Sequence, residues 1–339
     1  MDYKQSGVNI DIANDTKKGL KTLLKTDNPR VLNGIGAFGS LFDFHFPEYK
    51  HPVLVTKTEE PGSKQLLAFQ HNRYESIGKD MINHLINDCI VMGAKPLAIQ
   101  DAIICGKLEK DKVTRIITGI NEACIAQGCV LTGGEISEQP SVIPEGTYIL
   151  TSSIVGIVEK EDIIDGATIK EGDVVIGLQS SGPHTNGYSL IRKMLEEYPE
   201  LHDAKIQEND NFINSALEIH RCYYPYVKGL FRHKVIKGMA HITGGGIAEN
   251  LDRILPDNVD ALVDTSKVNI LPIFFMIKHV MDLPYAEMFR TFNMGIGMTV
   301  VCSKEHEEKV LRHFDLLSLP TYIIGEIVPG TGKVQLLNL

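Results

Sequence analysis

Many features that would assign a protein to a class at sight are missing from this chain. No apolar run approaches the roughly 20 residues that a membrane-spanning helix needs, so no membrane partner is expected. The opening MDYKQSGVNID lacks a basic flank followed by an apolar core, so no secretory signal is read there. No block of lysine and arginine exceeds three residues and the net charge is −9, which disfavours nucleic acid as a partner. The six cysteines (Cys89, Cys105, Cys124, Cys129, Cys222 and Cys302) form no CxxC pair and sit mostly in apolar runs. They read as reduced, buried thiols of a cytoplasmic protein. Low-complexity tracts, structureless linkers, short-period repeats and any obvious nucleophilic triad are absent as well.

What is present suits an ordinary soluble globular protein. Of the 339 residues, 43% are hydrophobic and 23% charged, and the length accommodates two domains. Strand-like and helix-like segments alternate: strand 52–57, helix 76–94, strand 95–105, helix 110–128 ending at Gly128, then the strands CVLTG and TYILTSSIVGIV. The polar, turn-rich stretch 161–173 marks a boundary. Beyond it the reading is a strand at VVIGL, helices near 187–197 and 209–233, strand GMAHIT, a short helix at 247–254 and strand 260–263. Two helices over 272–291, strand 295–302, helix 304–314 and strand TYIIGEIV follow. The expectation is two mixed α/β domains (α/β or α+β), 1–168 and 169–339.

An acidic chain binds polyanions only through local devices: backbone amides, helix N-termini, a few lysines, or a divalent cation. Four places offer them. In the 76–94 helix, Asp80, His84, Asn87 and Asp88 form a polar stripe on an otherwise apolar cylinder. That stripe either faces water or faces a polar cavity where Asp80 and Asp88 hold a cation. In LTGGEISEQP (131–140) a strand runs into Gly133 and Gly134, with Glu135 at its end, either as a tight turn or as a site. SSGPHTNGYSLIRK (180–193) and AHITGGGIAENL (240–251) each place a histidine and glycines before a helix, the form of an anion site. GIGAFG (34–39) matches GxGxxG literally, yet no strand precedes it and no acid follows at the dinucleotide spacing. It reads as a flexible glycine loop. Arg290 and Asn293, ahead of a glycine-rich strand in EMFRTFNMGIGM, are a weak signal alone. LVTKTEEPGSK (54–64) poses its own question, since Thr58, Glu59, Glu60, Pro61, Gly62, Ser63 and Lys64 read either as a charged turn or as the mouth of a phosphate and metal site.

Taken in order, these stretches resemble one family, the aminoimidazole ribonucleotide synthetases, also called phosphoribosylformylglycinamidine cyclo-ligases. YKQSGVNIDIAN, GIGAFGSL, NDCIVMGAKPL, CGKL, LTGGE, GIVEKEDIIDG, SSGPHTNGYSLIRK, HITGGGIAENLDRILPDN and MFRTFNMGIGM carry the likeness, collinear from near residue 3 to about 330. The resemblance implies a homodimer whose N-terminal domains pair strands into a shared barrel, with ATP bound near that interface. It implies ATP-dependent ring closure of formylglycinamidine ribonucleotide through an iminophosphate, with ADP and phosphate released. ATP and Mg2+ are the implied cofactors, with a monovalent cation as an option. By position, Asp88, Asp80, Glu135 and Glu59 fall to the metal. Lys64, His184, Asn186 and His241 fall to catalysis. Gly34, Gly36, Gly39, Thr58, Ser63, Ser180, Ser181, Thr243, Gly244, Gly245, Gly246, Arg290 and Asn293 fall to ATP and substrate.

The chain departs from the family where ligands are expected. The family's T-D-G-V-G-T-K is TEEPGSK here: Glu59 keeps a carboxylate one methylene longer, Glu60 adds charge, and Pro61 removes an N–H. After GGE the chain reads ISEQPS, losing a hydroxyl at Ile136, and Tyr223 and Tyr224 in CYYPY replace the family's Thr and basic residue. Beside the cyclo-ligase stand two other readings: an ATP-dependent enzyme of the same superfamily acting on another amide- or formamidine-like substrate, and a catalytically weak regulatory paralog.

Overall fold

Residues 10–208 and 210–339 are described by the computed structural model, so most of the YKQSGVNID stretch lies outside the described residues. The chain forms two units. One comprises the segments up to Pro61, Ala68–Cys89 and Ala94–Lys160; the other comprises Gly62–Leu67, Ile90–Gly93 and Glu161–Leu339.

The first unit contains α1 (Ile10–Leu23), β1 (Pro52–Glu59), part of α2 (Lys64–Gln70), α3 (Tyr74–Ile90), β2 (Lys95–Cys105), α4 (Lys110–Gln127), β3 (Val130–Glu138) and β4 (Tyr148–Glu159). Its sheet has the order β1-β4-β2-β3, parallel only between β2 and β3, which α4 connects. The apolar run KPLAIQDAIIC forms β2 because a strand covered on both faces needs little alternation. Helix α4 stops at Gly128, whose φ of 69° is the left-handed end that glycine adopts without a Cβ penalty. Helices α3 and α4 touch backbone to backbone: a Cβ at Gly119 would lie 2.0 Å from the Glu75 carbonyl oxygen. Arg115 clamps the contact, its Nε and Nη2 donating to both Glu75 carboxylate oxygens at 2.6 and 2.8 Å.

The second unit holds β5 (Val174–Gln179), α5 (Tyr188–Glu197), β6 (Lys205–Gln207), β7 (Asp210–Asn211), α6 (Phe212–Ala216), α7 (Tyr224–Phe231), β8 (Ile236–His241), α8 (Gly246–Leu251) and β9 (Val259–Asp264). It is completed by α9 (Pro272–Val280), α10 (Tyr285–Thr291), β10 (Ile296–Cys302), α11 (Glu307–Leu316), β11 (Thr321–Pro329) and β12 (Val334–Leu337). Its six-stranded sheet runs β12-β9-β11-β5-β10-β8, antiparallel except for β12 on β9. Both units are therefore mixed α/β, as the sequence indicates.

Several elements differ from expectation. The helix expected over 209–233 is two short ones. Asn211 caps α6 by accepting from the Asn214 N–H at 2.9 Å, and Pro225 restarts the chain in the first turn of α7. Gly133 and Gly134 lie inside β3 rather than in a turn at its end. Helices α1 and α2 were not anticipated. All six cysteines are buried and free; burial pushes the Cys89 and Cys302 thiols up to about 12.

Candidate functional site

A cavity of about 860 Å³ opens in the first unit. Helix α1 brings Lys17, Lys18 and Lys21 to its wall, and the loop with Gly34, Gly36 and Gly39 forms another side. The loop is anchored on β3 by Ser40, whose Oγ donates to the Thr132 carbonyl at 2.7 Å. At Gly36 the backbone has a φ of 103°, and a Cβ there would meet the Lys21 side chain at 3.1 Å. Thr58, Asp101 and Glu135 complete the polar lining. Lysines beside a loop of glycines suit a polyanion, and the carboxylates suit the hard cation that accompanies one.

Asp101 is one residue that sequence reasoning missed. It is buried in β2, and desolvation pushes its carboxyl up to about 7. Opposite it in the ladder is Gly134, where a Cβ would lie 2.0 Å from Asp101 Oδ1. The paired glycines thus give space to a carboxyl on the neighbouring strand. A lone acid in the middle of an apolar strand was the available signal.

The metal candidates do not gather at one point. Asp80 and Asp88 lie eight residues apart on α3, roughly 12 Å along the axis at 1.5 Å per residue, so they cannot share one ion. The stripe does not face water either: Asp80 and Asn87 are 0% exposed and His84 is 7%. Asp88 instead groups with Glu59. Lys57 Nζ lies 2.7 Å from Glu59 Oε1 and 3.4 Å from Asp88 Oδ2, and His84 Nε2 is 3.9 Å from the same Asp88 oxygen. Strand alternation puts Lys57 and Glu59 on the face opposite Thr58, which borders the cavity. Glu135 borders the cavity, so it and Glu59 belong to different groups. Glu60 points to solvent and Pro61 is buried.

In the second unit Lys64 is 0% exposed. Its Nζ donates to the Glu218 carbonyl at 2.7 Å and lies 5.7 Å from the centre of the Tyr188 ring, so it is not part of the first unit's cavity lining. Ser63 is half-buried just before α2. The turn before α5 is tightly wound. His184 has a φ of 60°, its Nε2 accepts from the Ser181 N–H at 3.3 Å, and Ser181 Oγ donates to the Ile219 carbonyl at 2.6 Å. His241, at the end of β8, lies in the same unit with its Nε2 3.0 Å from that of His220. Tyr223, one of the departures from the family pattern, is buried against His184 and donates to the Gln179 carbonyl at 2.9 Å. Burial pushes its phenol upward.

Two nominated residues are braces. Asn293 Oδ1 accepts from Ser180 Oγ at 3.1 Å and from the Gly295 N–H at 2.9 Å, while its Nδ2 donates to the Gly182 carbonyl at 2.8 Å. With Ser180 and Asn293 each 2% exposed, both hold loops rather than present groups to a ligand. The second glycine turn is similarly held, since Asn250 Nδ2 donates to the Gly244 and Gly246 carbonyls at 3.0 and 2.8 Å and Thr243 Oγ1 donates to Asn250 Oδ1 at 3.2 Å. Gly245, with a φ of 89°, is the residue immediately before α8. Arg290 stands in solvent, 3.6 Å from Glu249. Asn186 is different: its Nδ2 is buried and has no hydrogen-bond partner among the described residues, a donor that a ligand would satisfy.

Over residues 50–158 the chain matches the family described as AIR synthase related protein, N-terminal domain, and over 170–336 its C-terminal domain. It is 43% identical over 345 residues to the phosphoribosylformylglycinamidine cyclo-ligase of Caldanaerobacter subterraneus subsp. tengcongensis, covering 99% of this chain and 100% of that protein. To the enzyme of the same name from Geobacillus thermodenitrificans it is 41% identical over 333 residues, covering 97% and 96%. Its fold is similar to that of thiamine-monophosphate kinase from Stenotrophomonas maltophilia, with a TM-score of 0.68 at 17% identity over 96% of both chains. Likeness that runs through both domains at this level places the protein: the chain belongs to the phosphoribosylformylglycinamidine cyclo-ligase family.

Proposed function

We propose that this protein closes formylglycinamidine ribonucleotide to aminoimidazole ribonucleotide at the expense of ATP, in purine synthesis. The observation that carries the reading is the full-length identity to cyclo-ligases, 43% over 345 residues. In the proposed reaction the formyl oxygen attacks the γ-phosphorus, the bond to ADP breaks, and an iminophosphate forms. An internal nitrogen then bonds to the activated carbon as the carbon–oxygen bond breaks, releasing phosphate and a proton. Such a reaction needs positioning and charge neutralisation rather than a covalent nucleophile.

The first unit's cavity suits ATP, with Lys17, Lys18 and Lys21 against the phosphates and the 34–39 loop closing over them. The ribonucleotide falls to the second unit, where Asn186 offers its buried donor and His184 and His241 stand by the glycine turns. Magnesium fits the oxygen donors of Asp88 and Glu59, or of Glu135, and would neutralise phosphate charge there. We also propose a homodimer formed through the first unit's sheet, in the cytoplasm. Strand β1 is an edge strand with no partner on its outer side among the described residues, and Leu54, Ile149 and Val155 are 51%, 37% and 36% exposed on the sheet.

Lys57 bears on the metal directly. Its ammonium already occupies the Glu59–Asp88 pair, and these acids raise its pKa, the Glu59 hydrogen bond most strongly. An exposed pair of this kind is worth about 0.2–1 kcal/mol. Lys57→Ala should therefore tighten Mg2+ binding at the pair by roughly 1.4- to fivefold, measured by titration calorimetry without nucleotide. Unaltered affinity would place the ion elsewhere.

Single-turnover ADP formation with Mg-ATP, with and without formylglycinamidine ribonucleotide, tests the function. ADP matched one-for-one by aminoimidazole ribonucleotide is the expected result. ATP binding without that product would favour another amide- or formamidine-like substrate, a reading to which the departures at Glu59–Pro61 and Tyr223 already point.

A further inference from the structure

Three imidazoles lie together in the second unit, and one of them, His220, belongs to none of the motifs. It sits between α6 and α7, just before CYYPY, with 0% of its surface exposed. Both of its ring nitrogens are engaged: Nδ1 lies 3.3 Å from Thr185 Oγ1 and Nε2 lies 3.0 Å from His241 Nε2. The ring of His184 stacks on its face at 4.0 Å and 18°, while the His241 ring is tilted by 53° at 5.1 Å.

Two facing Nε2 atoms at this distance share one proton. If both carried one they would repel, and if neither did, two buried acceptors would face each other. In their neutral forms the two rings must therefore be complementary tautomers. Either His220 Nδ1–H donates to Thr185 Oγ1 and His241 Nε2–H donates to His220, or the Thr185 hydroxyl donates to Nδ1 and His220 Nε2–H donates to His241. The hydroxyl serves either arrangement. The His184 stack opposes rotation of the His220 ring, so the orientation of the pair is fixed as well.

We propose that His220 is a positioning residue for His241, holding it in the tautomer complementary to its own and in one orientation toward the ribonucleotide. The proposal rests on the reading of His241 as part of the substrate site. A metal held by all three histidines is disfavoured by the same geometry. The nearly parallel rings of His184 and His220 do not aim their lone pairs at one point, although the three ligand atoms lie within 4.8 Å of one another.

The experiment is 15N-detected imidazole spectroscopy on the full-length protein, alongside kcat and KM for the ribonucleotide. Opposite tautomers on His220 and His241 are expected. His220→Leu should turn His241 into a tautomer mixture and lower kcat about tenfold, the scale of one lost buried hydrogen bond, with KM nearly unchanged. His220→Gln, which keeps a donor and an acceptor, should restore most of both. If His220→Leu does not fold, Thr185→Val should give the mixture through His220. The same tautomer on both rings, or an unaltered His241 spectrum in the variants, overturns the proposal. So does stoichiometric zinc in the purified protein that His220→Leu removes. Should the protein lack cyclo-ligase turnover, the spectra still decide the tautomer question, so the two failures are distinguishable.

Discussion

Asp101→Asn should stabilise the ligand-free first unit above neutral pH and leave it unchanged in acid. The Asp101 carboxyl is buried, no described residue supplies a countercharge that holds it ionised, and desolvation raises it from the ordinary 3.8 to about 7. Between those two values the folded chain keeps a proton that the unfolded chain has lost. Stability therefore falls as pH rises through this window, and the deficit is complete above about 7. Roughly three pH units correspond to about 4 kcal/mol at most, and relaxation around the carboxylate brings the expected gain nearer 2 kcal/mol. Asparagine cannot ionise, and the absence of a side chain at Gly134 leaves it the same space. Urea unfolding at pH 8 and pH 4 checks this: the variant should be more stable only at pH 8. An equal difference at both values would mean that the native carboxylate is already ionised. An acid retained at such a cost, in a cavity lined by lysines, has the character of a functional group.

The pattern-bearing elements were legible because their physics is local. Strand β2, helix α4 with its glycine stop, and the fully buried β10 all follow from period and capping. Helix α1 was not legible because it buries only Thr16 and Leu20 within its span, so charged and polar residues dominate its sequence, yet it supplies the lysine wall of the cavity. The break between α6 and α7 was obscured by apolar residues on both sides, although Pro225 was the stop in plain view. The site residues divided in the same way. Glycines and acids in motifs could be picked out, but what each one touches depends on strand register and loop packing. Gly134 answers to Asp101 across a ladder, and Asn293 answers to Ser180 from 113 residues away. Even the TEEPGSK question resolves only in three dimensions: Lys57, just ahead of that motif, binds Glu59, while Glu60 turns to solvent.

Gly246→Ala should cost about 3 kcal/mol or more, whereas Gly244→Ala should leave folding intact. The sequence treats the three glycines of HITGGG alike, as a cradle for phosphate. Their surroundings differ. Gly246 has a φ of 64°, and a Cβ there would lie 1.7 Å from the Phe289 carbonyl oxygen. The left-handed conformation alone costs an alanine about 1–2 kcal/mol. Displacing the α10 backbone from a packed position adds about 1–3 kcal/mol more. At roughly 2–4 °C per kcal/mol for a unit of this size, the melting temperature should fall by about 6–12 °C. At Gly244 the nearest atom to a Cβ is Asn186 Oδ1, 3.7 Å away, an ordinary contact. A methyl at Gly244 therefore tests ligand approach without disturbing packing. If Gly244→Ala melts like the wild type but binds the ribonucleotide more weakly, the turn meets its ligand through the Gly244 backbone beside Asn186. If it binds normally, the glycines of this turn serve the contact between α8 and α10, and the anion site lies at the other turn, before α5.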